Sequence, residues 1–191
     1  GNAKVQNGFV KIKGFPHPFE KINSDIQFSH SRIIFNRIQS QFASGSLTGD
    51  GSIQINGVSD LETAIKLKAD NVTLNVPDKI QTSGNADLMI TGKWFPFLIS
   101  GTYKVFEGLI TKDFTAEDSM NTVKQSSYLP KVILRNAFEP IYLDIQVVLD
   151  KPVQIKNPLM DGFAKGTIGV RGPPLNPILS GKVTFEKPSR I

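Results

Sequence analysis

Apolar residues recur at every second position through most of this chain, and helical periodicity is nearly absent. Leu61, Thr63, Ile65, Leu67 and Ala69 share one parity, with Glu62, Lys66 and Lys68 on the other. After Asp70-Asn71, read as a turn, the pattern resumes as Val72, Leu74 and Val76. It returns as Ala86, Leu88 and Ile90, then as Ile99, Gly101, Tyr103 and Val105. The second half repeats the habit in Ile141 to Leu149, Val153 and Ile155, Ile168 and Val170, and Val183 and Phe185. The first third follows it less regularly, through Phe9, Ile22, Ile26, Phe28, Ile33, Phe35, Leu47, Ile53 and Ile55. Such alternation gives each strand one apolar and one polar face. Turn residues punctuate the chain at intervals of about ten, which predicts an all-β fold of many short strands rather than βαβ units.

One stretch departs from the rule. Residues 111–130 are polar, an insert between two β blocks. Thr115-Ala116-Glu117-Asp118 carries a weak capping-box pattern, so a short helix over 116–126 and a loosely packed loop are both compatible with it.

The blocks on either side resemble each other. Gly92 and Gly101 enclose Trp94-Phe95-Pro96-Phe97, and Gly172 and Gly181 enclose Pro174-Leu175-Asn176-Pro177, at an offset of 80 residues. Ile65 and Asp70 match Ile145 and Asp150 at the same offset, while Val72, Leu74 and Pro77 match Val153, Ile155 and Pro158 at 81. One residue has therefore been inserted between the two sets. Each unit reads as a strand, a turn, two more strands, a Gly–Pro corner and a returning strand. The glycines permit positive φ at the corner, and the prolines stop further pairing there. A fainter third copy is expected from Gly14 through Phe15-Pro16-His17-Pro18-Phe19 and a strand from Ile22 to Phe28. Units that cannot close their own apolar face usually stack into an extended array.

Composition removes several function classes. Of the 191 residues 39% are hydrophobic and 20% charged, which excludes disorder, and no apolar run approaches the length of a membrane helix. A chain of this size is expected to be one elongated β segment over residues 4–191, cut from a larger protein. Gly1-Asn2-Ala3 reads as a remnant of cloning. The net charge of +5 is spread as +2 over residues 1–60, zero over 61–110 and +3 over 111–191, with no adjacent basic residues. Nucleic-acid binders concentrate such charge, so no nucleic-acid partner is expected. Absence of cysteine removes disulfides, thiol nucleophiles and thiolate zinc sites.

Catalytic motifs are missing. His17 and His30 lie at no metal-ligand spacing, and His17 between two prolines reads as a surface imidazole. Gly45-Ser46-Leu47-Thr48-Gly49-Asp50-Gly51 lacks the Gly-Lys-Ser/Thr ending of a phosphate loop, so a β-turn or bulge is expected there. Asp70 and Asp150 sit where Asp routinely forms turns. The expectation is a protein that is not an enzyme and carries no metal or cofactor.

A sheet with one apolar face needs a cover, and no amphipathic helix of useful length supplies one. The repeat favours an elongated, curved, largely antiparallel sheet folded into a trough; a β-sandwich is the alternative. The candidate lining of that trough is Ile65, Leu67, Leu74, Leu88, Ile90, Tyr103, Val105, Leu143, Ile145, Val147, Ile155, Ile168, Val183 and Phe185.

The pattern Leu88-x-Ile90-Thr91-Gly92, then Ile99-Ser100-Gly101-x-Tyr103-x-Val105-x-x-Gly108-x-Ile110, resembles the TamB C-terminal domain of the AsmA-like group. So do Leu143-Asp144-Ile145, Val153-x-Ile155, Ile168-x-Val170-x-Gly172 and Leu179-Ser180-Gly181-x-Val183, and the alternating glycines of Gly45 to Gly57. The resemblance covers residues 8 to 188 apart from the polar insert. It implies a periplasmic segment of a protein anchored in the inner membrane of a diderm bacterium, with a TamA-type outer-membrane barrel as partner. It further implies either phospholipid acyl chains carried in an apolar groove or a scaffold for outer-membrane barrel proteins and autotransporters. The family brings no catalytic residue with it.

Overall fold

Strict alternation leaves each strand half-apolar, and such strands gain most by pairing edge to edge with their apolar sides aligned. The computed structural model describes residues 1–11, 16–57, 60–75, 79–93, 96–111, 141–157, 160–174 and 177–186. They form β1 (Asn2–Val10), β2 (Phe19–Phe28), β3 (Arg32–Phe42), β4 (Gly45–Gly57) and β5 (Asp60–Leu74). There follow β6 (Ile80–Lys93), β7 (Phe97–Ile110), β8 (Ile141–Asn157), β9 (Met160–Gly172) and β10 (Ile178–Glu186). All ten lie in one sheet in sequence order, and β1 does not pair with β10. The all-β expectation holds, and the curved open sheet takes the place of the sandwich: among the described residues there is no second sheet. Asn2 and Ala3 extend β1 opposite Gln27 and Ile26.

Every neighbouring pair is antiparallel except β7 and β8, which run parallel with Gly101 opposite Ile145. The repeat explains this exception. Its two copies are β5–β6–β7 and β8–β9–β10, each with an odd number of antiparallel strands, so the first and last strands of a copy point the same way. Two copies set side by side must then meet in a parallel joint. A parallel pair cannot be closed by a hairpin and needs a connection of about a dozen residues or more. Residues 111–140 separate β7 from β8, so the polar insert falls where the topology demands a long connection. The helix-or-loop expectation for 116–126 lies outside the described residues, as do Gly14, Phe15 and Val76.

The repeat glycines behave alike. Gly92, Gly101, Gly172 and Gly181 have φ of 133°, 138°, 97° and 146°, a region that other residues rarely enter.

Three local expectations are corrected. Asp70-Asn71 is not a turn but a bulge inside β5, with Ala69 opposite Ala86 and Val72 opposite Gly84. Asn71 takes φ 53°, and its N–H donates to Asn85 Oδ1 at 2.8 Å. Because β4 and β6 flank this site, the strand swallows one extra residue and continues, with its parity reset so that Val72 and Leu74 rejoin the apolar face. Asp150 likewise lies inside β8, where the shift between Leu149 and Val153 takes up one residue more than in β5. That larger bulge is the inserted residue behind the change of offset. Each repeat is accordingly three strands, without the additional turn. Finally, Gly45 to Gly51 is regular strand, and the reversal is made by Ala43 and Ser44 at φ 47° and 65°. Gly49 and Gly51 serve close approach instead, since a Cβ would lie 2.3 Å from the Lys66 carbonyl oxygen and 2.4 Å from that of Ala64.

Candidate apolar groove

The cross-strand register turns the alternation into continuous rows. One row runs Ile26, Phe35, Gly51, Ile65, Ile90, Ile99, Leu143, Gly172 across seven strand junctions' worth of pairing from β2 to β9. The next runs Ser24, Ile38, Gly49, Leu67, Leu88, Gly101, Ile145, Val170, Leu179 from β2 to β10. A third contains Leu47, Ala69, Ala86, Tyr103, Val147 and Ile168, and a fourth Val72, Val105, Leu149 and Val183. The predicted lining residues all fall on this face, including Leu74 opposite Thr82, Ile155 opposite Gly162 and Phe185 opposite Ala164. The opposite face holds the charged side chains, together with exposed apolar ones such as Met89, Leu98 and Tyr142. There Lys66, Met89, Ser100, Asp144 and Arg171 form one row, closed by a 2.9 Å contact from Arg171 Nε to Asp144 Oδ1. Both of these charged side chains are more than half exposed, so the pair contributes little to stability.

Burial along the apolar face is graded. It peaks beside the bulges, where Val72 is 1% exposed, Val105 0% and Val153 1%. Ala69, Ala86, Tyr103, Ile155 and Ala164 are also buried there, and Phe19 stacks on Phe42 with ring centroids 4.6 Å apart. Bulges bend a strand and sharpen its twist, so aligned bulges fold the sheet and bring side chains on either side of the bend together. Away from the bend, Ile65, Ile90, Ile99, Leu143 and Val170 are only half-buried, as is Ile145 where it packs against the edge of the buried cluster. In a closed core such aliphatic side chains would be fully covered. The face therefore has a packed floor and an open flank.

Few polar groups interrupt it. Tyr103 Oη and Thr82 Oγ1 are hydrogen-bonded at 3.1 Å, and burial pushes the phenol pKa above its usual value while this contact pulls it the other way. Ser40 Oγ donates to the Glu20 carbonyl at 2.9 Å. Ser24 Oγ is buried with no hydrogen-bond partner among the described residues. At one end the His17 ring meets Phe42 edge-on, and His17 Nε2 accepts a hydrogen bond from the Asn75 N–H at 2.9 Å. His17 is thus half-buried and engaged rather than a plain surface imidazole, and burial holds its pKa below the ordinary value.

The sequence reading missed the lining contributed by β2 to β4: Ile26, Phe35, Ile38, Leu47 and Ile53. A signal existed in their alternation, but bulges between Glu20 and Asn23 and between Phe35 and Ile38 switch the parity within β2 and β3, while Leu47 and Ile53 alternate plainly in β4. Leu149 and Val170 were read as alternating residues but not as lining. Among the described residues, no three His, Cys, Asp or Glu side chains gather at one place. Two shallow hollows lie on the polar side, one beside Arg32, Asn36 and Asp50, the other beside Asp144, Thr167 and Arg171.

Among the described residues, a single open sheet with a largely apolar face, a packed floor and no second layer over it defines an elongated β-protein of the curved-trough kind. The TamB C-terminal domain model matches residues 36–190, and the chain belongs to that family. No curated protein and no solved structure is significantly similar to it. The family serves the cell envelope, in outer-membrane protein assembly or envelope lipid transport, with a periplasmic C-terminal part and TamA-type proteins as general partners.

Proposed function

We propose that this domain is a non-catalytic periplasmic segment of an inner-membrane-anchored bridge, along which phospholipid acyl chains lie against the apolar face on their way to the outer membrane. The observation that carries this reading is the half-buried aliphatic flank of Ile65, Ile90, Ile99 and Leu143, which runs from β5 to β8. Ten strands about 4.8 Å apart make a groove of about 43 Å, while one leaflet's acyl chain spans about half of a ~30 Å hydrocarbon core. A lipid tail therefore fits with length to spare. Each methylene removed from water contributes about 0.8 kcal/mol, so a tail needs no headgroup site to be held. Headgroups would stay at the open flank in water, and selection among them would be weak. Lipid extraction and native mass spectrometry of the purified chain test this directly. Co-purifying phospholipid with mixed headgroups is the expected result; a chain that is free of lipid and takes up none from vesicles contradicts it.

A scaffold role for nascent outer-membrane strands is the second reading, favoured by one observation. Among the described residues β10 pairs with β9 alone, and an edge strand of that kind pairs readily with extended segments. Crosslinks from that edge to unfolded barrel protein, in place of lipid crosslinks from the groove, would favour it.

A further inference from the structure

A hydrogen bond of this chain passes over two strands. His17, in the connection between β1 and β2, accepts the backbone N–H of Asn75, one residue past the end of β5, at 2.9 Å. In the sheet β2 and β5 are separated by β3 and β4, three strand spacings or about 14 Å. Two residues of extended chain from Phe19 and the length of an imidazole bridge that gap by lying across the ends of β3 and β4. The ring contacts place them on the apolar side. The His17 ring meets Phe42 edge-on with centroids 6.1 Å apart, and Phe42 stacks on Phe19. Both phenylalanines pack on the buried cluster that contains Leu47, Ala69 and Val72.

The sequence stiffens this crossing. Pro16 and Pro18 fix φ near −65° on either side of His17, and a residue before proline is held extended. The bond itself is conditional, because an imidazole nitrogen accepts only while it is unprotonated. Protonated, Nε2 would present a second donor to the Asn75 N–H. The groups around it do not offset that change. At these strand ends the apolar face carries Phe19 of β2, Ser40 and Phe42 of β3, Leu47 of β4, Val72 and Leu74 of β5, and Ile80 and Thr82 of β6. None of these eight titrates in the acid range. The charged groups of the same elements are Glu20, Lys21 and Lys79, all exposed, and Asp70, on the outer parity opposite Ser46. Burial without a charged partner holds the His17 pKa below the ordinary 6.5.

We propose that residues 16–18 form an acid-released strap: with His17 neutral it ties the end of β2 to the end of β5 over Phe42, and with His17 protonated it lets go and opens that end of the apolar face. The inference rests on the strap's own contacts, so it stands whether or not the face holds lipid.

The chain has no cysteine, so spin labels at Pro16→Cys and Asn75→Cys are unique. Both positions are exposed, and the donor at 75 is the backbone, which Asn75→Cys retains. Dipolar broadening between the labels is followed from about pH 7.5 to about pH 4.5, with circular dichroism confirming that the sheet persists. The labels should be close at neutral pH and part by about 10 Å in acid, towards three strand spacings, with a midpoint below 6.5. With His17→Gln, whose amide oxygen accepts at any pH, they should stay close throughout; with His17→Ala they should be apart throughout. Binding of N-phenyl-1-naphthylamine, an uncharged apolar dye, should rise several-fold in acid for the parent and stay flat for His17→Gln. Labels that keep one separation over the whole range, or that part in acid with His17→Gln as well, would overturn the inference. So would labels that stay close with His17→Ala, or dye binding that fails to rise as they part.

Discussion

Replacing Gly101 by alanine tests how far the sheet depends on a repeat glycine at positive φ packed against the next strand. An alanine Cβ at 101 would sit 2.1 Å from the Asp87 carbonyl oxygen and 3.0 Å from Leu88 Cα, at φ 138°. Ordinary contact begins near 3.4 Å, so β6 and β7 would have to part by more than an ångström. Holding a non-glycine residue in that backbone region costs about 1–3 kcal/mol, and forcing extra atoms into packed surroundings about 1–3 kcal/mol more. The sum, roughly 2–6 kcal/mol, is a large part of a domain stability of about 5–15 kcal/mol. Gly181→Ala meets the Thr167 carbonyl oxygen at the same 2.1 Å, at φ 146°. Its strand lies at the edge of the sheet and can yield outward, so the loss should be clearly smaller. Gly57→Ala has nothing within 4 Å and should be neutral or slightly stabilising, by up to about 1 kcal/mol. Urea unfolding followed by far-ultraviolet circular dichroism ranks the three variants. The reasoning fails if Gly101→Ala lies within about 0.5 kcal/mol of the parent, the ordinary range for uncritical surface changes, or if Gly181→Ala is the more damaging.

Three further outcomes are expected. Val105→Asp buries an unpaired carboxyl at a 0% exposed site, costing several kcal/mol, and should prevent folding, whereas half-buried Ile145→Asp should stay folded by thermal melting and lose lipid uptake. His17 accepts the Asn75 N–H only when Nε2 is unprotonated, and burial lowers its folded pKa below 6.5. The unfolded chain then binds more protons below that value, so the His17 contribution is complete above about pH 6.5 and lost as pH falls through the lower folded pKa; melting curves of His17→Phe should lack this acid-side loss. Asn85→Ala strips the Asn71 N–H of its partner at the β5 bulge and should cost about 1 kcal/mol in chemical denaturation.

Parity was the legible part of the fold. Where strands run without a bulge, as from Leu61 to Ala69 or from Ile141 to Leu149, the face read from alternation is the face that the register produces. The repeat was legible because glycine at positive φ is a demand that few residues can meet, so Gly92 and Gly172 mark equivalent strand ends and Gly101 and Gly181 equivalent positions inside β7 and β10. Bulges were not legible, because an Asp-Asn pair serves a turn and a bulge equally well. Only the neighbouring strand β6, which stays paired with β5 past Asp70-Asn71 as far as Leu74, decides between them. That one ambiguity concealed the odd number of strands per repeat, and with it the parallel joint between β7 and β8. In β2 and β3 the same effect hid Ile26, Phe35 and Ile38 from the lining, since their parity changes within a strand. Openness of the face was invisible too, because alternation says which side is apolar and nothing about what covers it.

Photo-crosslinking in cells puts the open apolar face to its most direct test. A photoreactive residue replaces Leu67 or Val147 on the apolar rows, and Lys66 or Val148 on the polar side of the same strands. Adjacent residues on one strand share depth, neighbours and expression level and differ in the face they present. Phospholipid captured at Leu67 and Val147, and little at Lys66 and Val148, is the expected pattern. Equal capture at all four positions, or capture of protein alone at Leu67 and Val147, would contradict a groove that carries lipid.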